Sequence, residues 1–196
     1  MERSSPWWPH SRWETTTAGE ILQAWGEALA LADEGERDAA AARLQALLAR
    51  HPDFVPAASK LAALLAEQGK TADASRWLER ALAADPNYPP ALNNQGNLLL
   101  EQGRIDEAYD HYQRALAIDP HYATARHNLA VALRRRGDIS GFVREFKRAQ
   151  RMRVNEQDAE LREHRRRMRQ EGRSGCLGVL LLVMVPAAVV AIARWL

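Results

Sequence analysis

PPALNNQGNLLLEQGRIDEAYDHYQRALAIDPHY, residues 89–122, is the stretch whose reading decides the fold. Its apolar residues recur every three to four positions in two halves, which is the period of helices and not of strands. Gly103 separates the halves, and Pro120 closes the second. A glycine just past a helix end takes the left-handed backbone that other residues resist, and a proline stops a helix. The segment therefore reads as two short helices joined by a tight turn.

The neighbouring sequence repeats it with a period of 34. In rows starting at Ile21, Val55, Pro89 and Ala123, column 15 holds Gly35, Gly69, Gly103 and Gly137. Column 11 holds Leu31, Leu65, Leu99 and Leu133, and column 8 holds Ala28, Ala62, Gly96 and Ala130. Column 20 reads Ala40, Ala74, Ala108 and Phe142, and column 24 reads Leu44, Leu78, Tyr112 and Phe146. Column 27 holds Leu47, Ala81, Ala115 and Ala149, and column 32 holds Pro52, Pro86, Pro120 and Val154. Small residues let antiparallel helices approach, and the large apolar ones fill the space between them. A period of 34 with these residue types is the mark of two-helix repeats.

These columns resemble the tetratricopeptide repeat family. The third repeat (89–122) follows the family pattern along its length, and the second (55–88) is a good match. The first (21–54) is weaker, with Glu27 at an apolar position. The fourth (123–156) has Phe142 at a small column, where Gly141 beside it could supply the close approach, and Val154 in place of the proline. The resemblance implies an all-α helix-turn-helix solenoid of four repeats spanning 18–156, whose first helices line a concave groove for a protein or peptide partner. Groove candidates on that basis are Trp25, Ser59, Asn93, Asn97, His127, Asn128 and Arg134, with the asparagine amides able to pair with an extended peptide. Members that grip a peptide carboxylate use Lys and Arg at columns 2, 5 and 6. Lys60 alone occupies that set here, so no such clamp is expected.

Outside the repeats the chain changes character. Residues 1–133 carry 12 Lys+Arg against 18 Asp+Glu, whereas 134–173 carry 14 against 7. Then CLGVLLLVMVPAAVVAIA, residues 176–193, runs without a charge. Its 18 residues would rise roughly 27 Å as a helix, near the thickness of a bilayer core. Trp195 and Arg194 suit the far interface. The expectation is a single-pass transmembrane tail anchor over 175–195. Arg162, Arg165, Arg166, Arg167, Arg169 and Arg173 crowd one side of it, which keeps the repeats cytoplasmic and allows contact with anionic lipid. An Arg count of 24 against 3 Lys suggests a GC-rich bacterial source, hence a cell inner membrane.

Two joining segments complete the plan. Residues 157–174 read as a basic neck helix that also caps the solenoid. The last repeat helix either runs on past Val154 or breaks near Asn155. Val154, Leu161 and Met168 fall seven apart; one apolar residue per heptad makes a coiled-coil homodimer the lesser alternative. Residues 1–17 form an irregular arm with Trp7, Trp8 and Trp13, which either cover the edge of the first repeat or meet a partner. Thr17 and Glu20 make a capping box that starts the first helix near Ala18.

Catalytic patterns are missing from the sequence. One cysteine, Cys176, excludes an internal disulfide and a paired-cysteine metal site. There is no P-loop, no nucleophile elbow and no metal-binding histidine pair on a helix. No cofactor is expected, and no nucleic acid, since the basic stretch adjoins the apolar run. The reading is a non-enzymatic interaction scaffold on a membrane. Its rival is an assembly or stability factor for a membrane complex, acting partly through a tail helix that carries Gly178 and Pro186.

Overall fold

The computed structural model describes the backbone of residues 15–193 and the side chains of 18–155 and 157–168. The tryptophans of the arm, Trp195, and the side chains of Arg169, Arg173 and the apolar run lie outside the described residues.

Among the described residues eight helices follow in order: α1 (Thr15–Asp33), α2 (Arg37–Arg50), α3 (Val55–Glu67), α4 (Thr71–Ala84), α5 (Pro89–Glu101), α6 (Ile105–Ile118), α7 (Ala123–Arg135) and α8 (Ile139–Ala193). The second helices of the pairs begin at 37, 71, 105 and 139, and α3, α5 and α7 begin at 55, 89 and 123, always 34 apart. The first helix departs from the capping-box expectation. It starts at Thr15, so Thr17 lies within its first turn and does not cap it.

Column 15 sets the turns. Gly35, Gly69, Gly103 and Gly137 have φ between +75° and +88°, and no other described residue has positive φ. Each lets the chain fold back so that the next N–H reaches the column 11 carbonyl: Glu36 to Leu31 at 2.9 Å, Lys70 to Leu65 at 2.9 Å, Arg104 to Leu99 at 2.9 Å and Asp138 to Leu133 at 3.0 Å. This is the two-bond Schellman ending, which satisfies carbonyls that a helix end would otherwise leave bare. The longer turns use Asp-Pro. Asp85 Oδ1 accepts from Asn87 N–H and Asp119 Oδ1 from His121 N–H, both at 2.9 Å.

The described residues up to 149 form one compact unit and those from 150 a second. In the first, hairpin partners pack together (α1 on α2, α3 on α4, α5 on α6), each second helix meets the next first helix, and α3, α5 and α7 lie side by side. Ile21, Leu44, Leu61, Leu78, Leu92 and Tyr112 are all under 2% exposed. Half-buried Leu82 packs against both the core of repeats 1 and 2 and that of repeats 3 and 4.

The fourth repeat departs from expectation at Gly141. Gly141 does not serve a helix approach: a Cβ there would lie 2.3 Å from Asp138 Oδ2. Its N–H instead reaches Asp138 Oδ1 at 2.8 Å, which makes Asp138 the N-cap of α8.

Without a proline at Val154 there is no break near Asn155, and helix continues as α8. In the second unit every described side chain from Arg153 to Met168 is exposed, including Val154, Leu161 and Met168. Among the described residues no helix is long and apolar enough to cross a membrane; the run expected to do so, 175–195, falls outside the side chains described.

Candidate functional site

The face formed by columns 2, 5, 9 and 12 of the first helices is mixed in depth. On α1, Leu22, Trp25 and Leu29 are half-buried. Trp25 stands edge-on to Phe54, with ring centroids 5.7 Å apart, so the indole is fixed by the core and offers only part of its surface. On α3, Ala63 and Ala66 are half-buried, while Ser59 is 2% exposed. On α5, Asn93 is 2% exposed and Asn97 is half-buried. On α7, Val131 is half-buried and Thr124 and Arg134 are exposed.

The amides on this face bond to one another. Asn94 Nδ2 donates to the Ser59 carbonyl and hydroxyl oxygens, both at 3.2 Å. Asn93 Nδ2 donates to Asn94 Oδ1 at 3.3 Å. Asn128 Nδ2 donates to Asn93 Oδ1 at 2.9 Å and to Asn97 Oδ1 at 3.0 Å. The Tyr112 hydroxyl donates to Asn97 Oδ1 at 2.8 Å. The chain of bonds thus runs from α3 through α5 to α7, and it spends both Asn128 amide hydrogens. Burying amides is tolerable because they are paired in this way. Burial also pushes the Tyr112 hydroxyl well above the usual tyrosine range, so it stays a donor.

Asn94 was not among the residues singled out from sequence. The signal was present, since Asn94 stands 34 residues before Asn128 in column 6. Arg135 was also missed. Its guanidinium donates to the Leu100 carbonyl at 2.8 Å, tying α7 to the end of α5.

At the C-terminal end of the face the second helix of repeat 4 supplies aromatic support. The His127 ring lies 5.5 Å from Phe146, Phe146 lies 5.4 Å from Phe142, and the Arg134 guanidinium sits 5.5 Å over Phe142. Beneath them Arg126 donates to Glu145 Oε2 at 2.9 Å and to the Pro120 carbonyl at 2.7 Å. Arg144 and Arg148 each reach Glu145 Oε1 at 3.2 Å. The structure therefore brings Ser59, Asn93, Asn97 and Asn128 into one network, holds His127 and Arg134 on aromatic rings, and leaves Trp25 apart on Phe54.

Arg162, Arg165, Arg166 and Arg167 are exposed in the second unit, with Arg167 paired to Glu163. Among the described residues no three His, Cys, Asp or Glu side chains are grouped to hold a metal ion. What the first-helix face offers is weakly charged, largely half-buried surface tied together by amide hydrogen bonds.

Comparison with known proteins bears on the whole body. The sequence model of the family described as "Tetratricopeptide repeat" matches residues 31–94, and that described as "TPR repeat" matches 96–137. None of the curated proteins compared matches the chain. Among solved structures, Pseudomonas aeruginosa PilF is similar at 23% identity and a TM-score of 0.62, over 69% of this chain and 62% of PilF. MamA from Desulfovibrio magneticus is similar at 19% identity and 0.56, over 69% and 76%. A Thermobaculum terrenum O-GlcNAc transferase is similar at 29% identity and 0.57, over 62% of this chain and only 23% of the transferase. The first two likenesses establish fold, and the third covers a small part of that enzyme.

Proposed function

We propose that this tetratricopeptide-repeat protein is a non-enzymatic scaffold, which docks a segment of a partner protein on its first-helix face while its C-terminal apolar run holds it in a bacterial inner membrane, repeats to the cytoplasm. The observation that carries the docking reading is the Ser59–Asn94–Asn93–Asn128–Asn97 network. It joins three successive first helices and leaves Ala63, Ala66 and Val131 half-buried on the face, beside exposed Thr124 and Arg134. A surface already rigid loses little entropy on binding. The internally used amides shift the expected recognition from backbone pairing towards apolar side chains of the partner.

The membrane part rests on the sequence: an uncharged run of 18 residues with six arginines on one side. Full-length chain in cell membranes should resist alkaline extraction, and protease added outside the inner membrane should leave the repeats intact. Release by alkali, or cleavage of the repeats, would refute it.

Docking is tested by crosslinking in those membranes with Thr124→Glu and Ala63→Glu, which place charge on the face. Loss of captured protein at unchanged helicity supports the face; an unaltered set of captured proteins rules it out. Exchange of the tail for an unrelated apolar span separates the rival reading, in which the tail itself packs on membrane helices, because only that reading expects lost function.

A further inference from the structure

The second unit carries an apolar stripe with no core beneath it. Val154, Leu161 and Met168 are 54%, 48% and 58% exposed. Seven residues are two helical turns less about 20°, so the three lie within about 40° of one another along about 21 Å of helix. Solvated helix of this kind gains its stability from pairing. With these three at heptad position a, the d positions are Gln157 and His164, the g positions Arg153 and Glu160, and the e positions Asp158 and Arg165.

We infer that residues 153–168 form a parallel two-stranded coiled coil with a second copy of this chain. The charges suit that occupant. In a parallel pair each g residue faces the e residue five positions further along the partner helix, and these flanking charges set orientation and partner choice. Arg153 then meets Asp158 of the second copy, and Glu160 meets Arg165; symmetry doubles both attractions. An antiparallel pair that layers Leu161 on Gln157 would set Arg153 against Arg167 and Glu160 against its own copy, like against like; one that layers Leu161 on His164 would set Glu160 against Arg167, and Arg165→Glu would then not rescue Glu160→Arg.

Gln157 at d faces its own copy across the seam. That polar pair, and the His164 pair at the other d position, fix register at a cost in stability. Three apolar a positions make a thin seam, and the membrane tether proposed above would hold two copies the same way up at high local concentration. That last support rests on the tether; the charge pattern does not, nor does either depend on what docks on the repeats.

The test uses full-length chain in a Cys176→Ser background, oxidised in freshly opened cells with membranes included. Leu161→Cys places a thiol at the seam, and Ala159→Cys places one on the outer face. The expected result is conversion of the Leu161→Cys monomer band to a covalent homodimer, little dimer from Ala159→Cys, loss of the Leu161→Cys dimer on adding Glu160→Arg, and its recovery with Arg165→Glu as well. The inference is overturned if Leu161→Cys stays monomeric, crosslinks no better than Ala159→Cys, is captured by a different protein, or ignores the charge reversals.

Discussion

Asn128 Nδ2 donates to Asn93 Oδ1 at 2.9 Å across 35 residues, one repeat period plus one. Asn94 to Ser59 and Arg135 to the Leu100 carbonyl span the same 35. A donor in one first helix therefore reaches the residue one column earlier in the preceding first helix, and this step ties repeat to repeat. The series stops before α1, where the same columns hold Lys60 and Trp25.

Asn128→Ala is expected to strip Asn93 Oδ1 and Asn97 Oδ1 of a donor. An acceptor left bare in a buried setting costs about 1–3 kcal/mol. Urea unfolding of the chain should show a lower midpoint, whereas Thr124→Ala, at an exposed position on the same helix, should not. Equal midpoints for both variants would mean that the network adds nothing to stability.

Gly96 and Tyr112 are fitted to each other. A Cβ at Gly96 would lie 2.6 Å from Tyr112 Cε1, closer than real atoms approach. The same two columns hold Ala28 with Leu44 and Ala62 with Leu78 in the first two repeats. Gly96→Ala should thus overpack the core, by about 1–3 kcal/mol. Adding Tyr112→Leu recreates the pairing of the earlier repeats, so the double variant should melt above Gly96→Ala in a thermal scan. A double variant that melts lower still would refute the pairing.

Much of this was legible because a 34-residue period writes each structural demand four times. The glycine turns, the leucine at column 11 and the helix-starting positions all recur, so chance matches cancel. The amide network was not legible in the same way. Which side chains meet between repeats depends on how far each hairpin rotates on the last, and no column records that angle. Asn93 and Asn128 thus read as groove amides for a ligand, although they face each other. The first helix was misplaced by three residues because a capping box lies inside a segment that is already helical. Gly141 was assigned a packing role from its neighbour Phe142, when the residue that needs its missing side chain is Asp138, three positions earlier.

Asp138 gives the body a pH dependence of definite sign. Hydrogen bonds from the Gly141 N–H and the Ser140 hydroxyl hold its carboxyl below the ordinary aspartate value of 3.8. A carboxylate with a lowered folded-state pKa contributes stability above its unfolded value and loses it as pH falls through the folded one. Asp138→Ala should therefore be less stable than the parent chain at neutral pH, with the gap closing below pH 3.8. The check is a pair of denaturation series from pH 7 downward. A gap that stays constant to the acid end would show that the cap does not act through its charge.

Arg126 occupies column 4, which is Ala24, Ala58 and Leu92 in the earlier repeats, and Glu145 answers it from α8. The two side chains are only 15% and 9% exposed. Their attraction has to offset the loss of water around both charges, and a well-packed apolar pair often does as well. Removing one partner is different, because the other charge stays buried. Glu145→Met alone leaves the Arg126 guanidinium uncompensated, at a cost of up to about 3–5 kcal/mol. Arg126→Leu alone should be milder, since Arg144 and Arg148 still reach Glu145. Arg126→Leu with Glu145→Met restores the apolar column and should be far less destabilised than the sum of the singles. A double-mutant cycle in urea measures this directly. Additive losses would mean that the two charges do not depend on each other, and that column 4 tolerates arginine for some other reason.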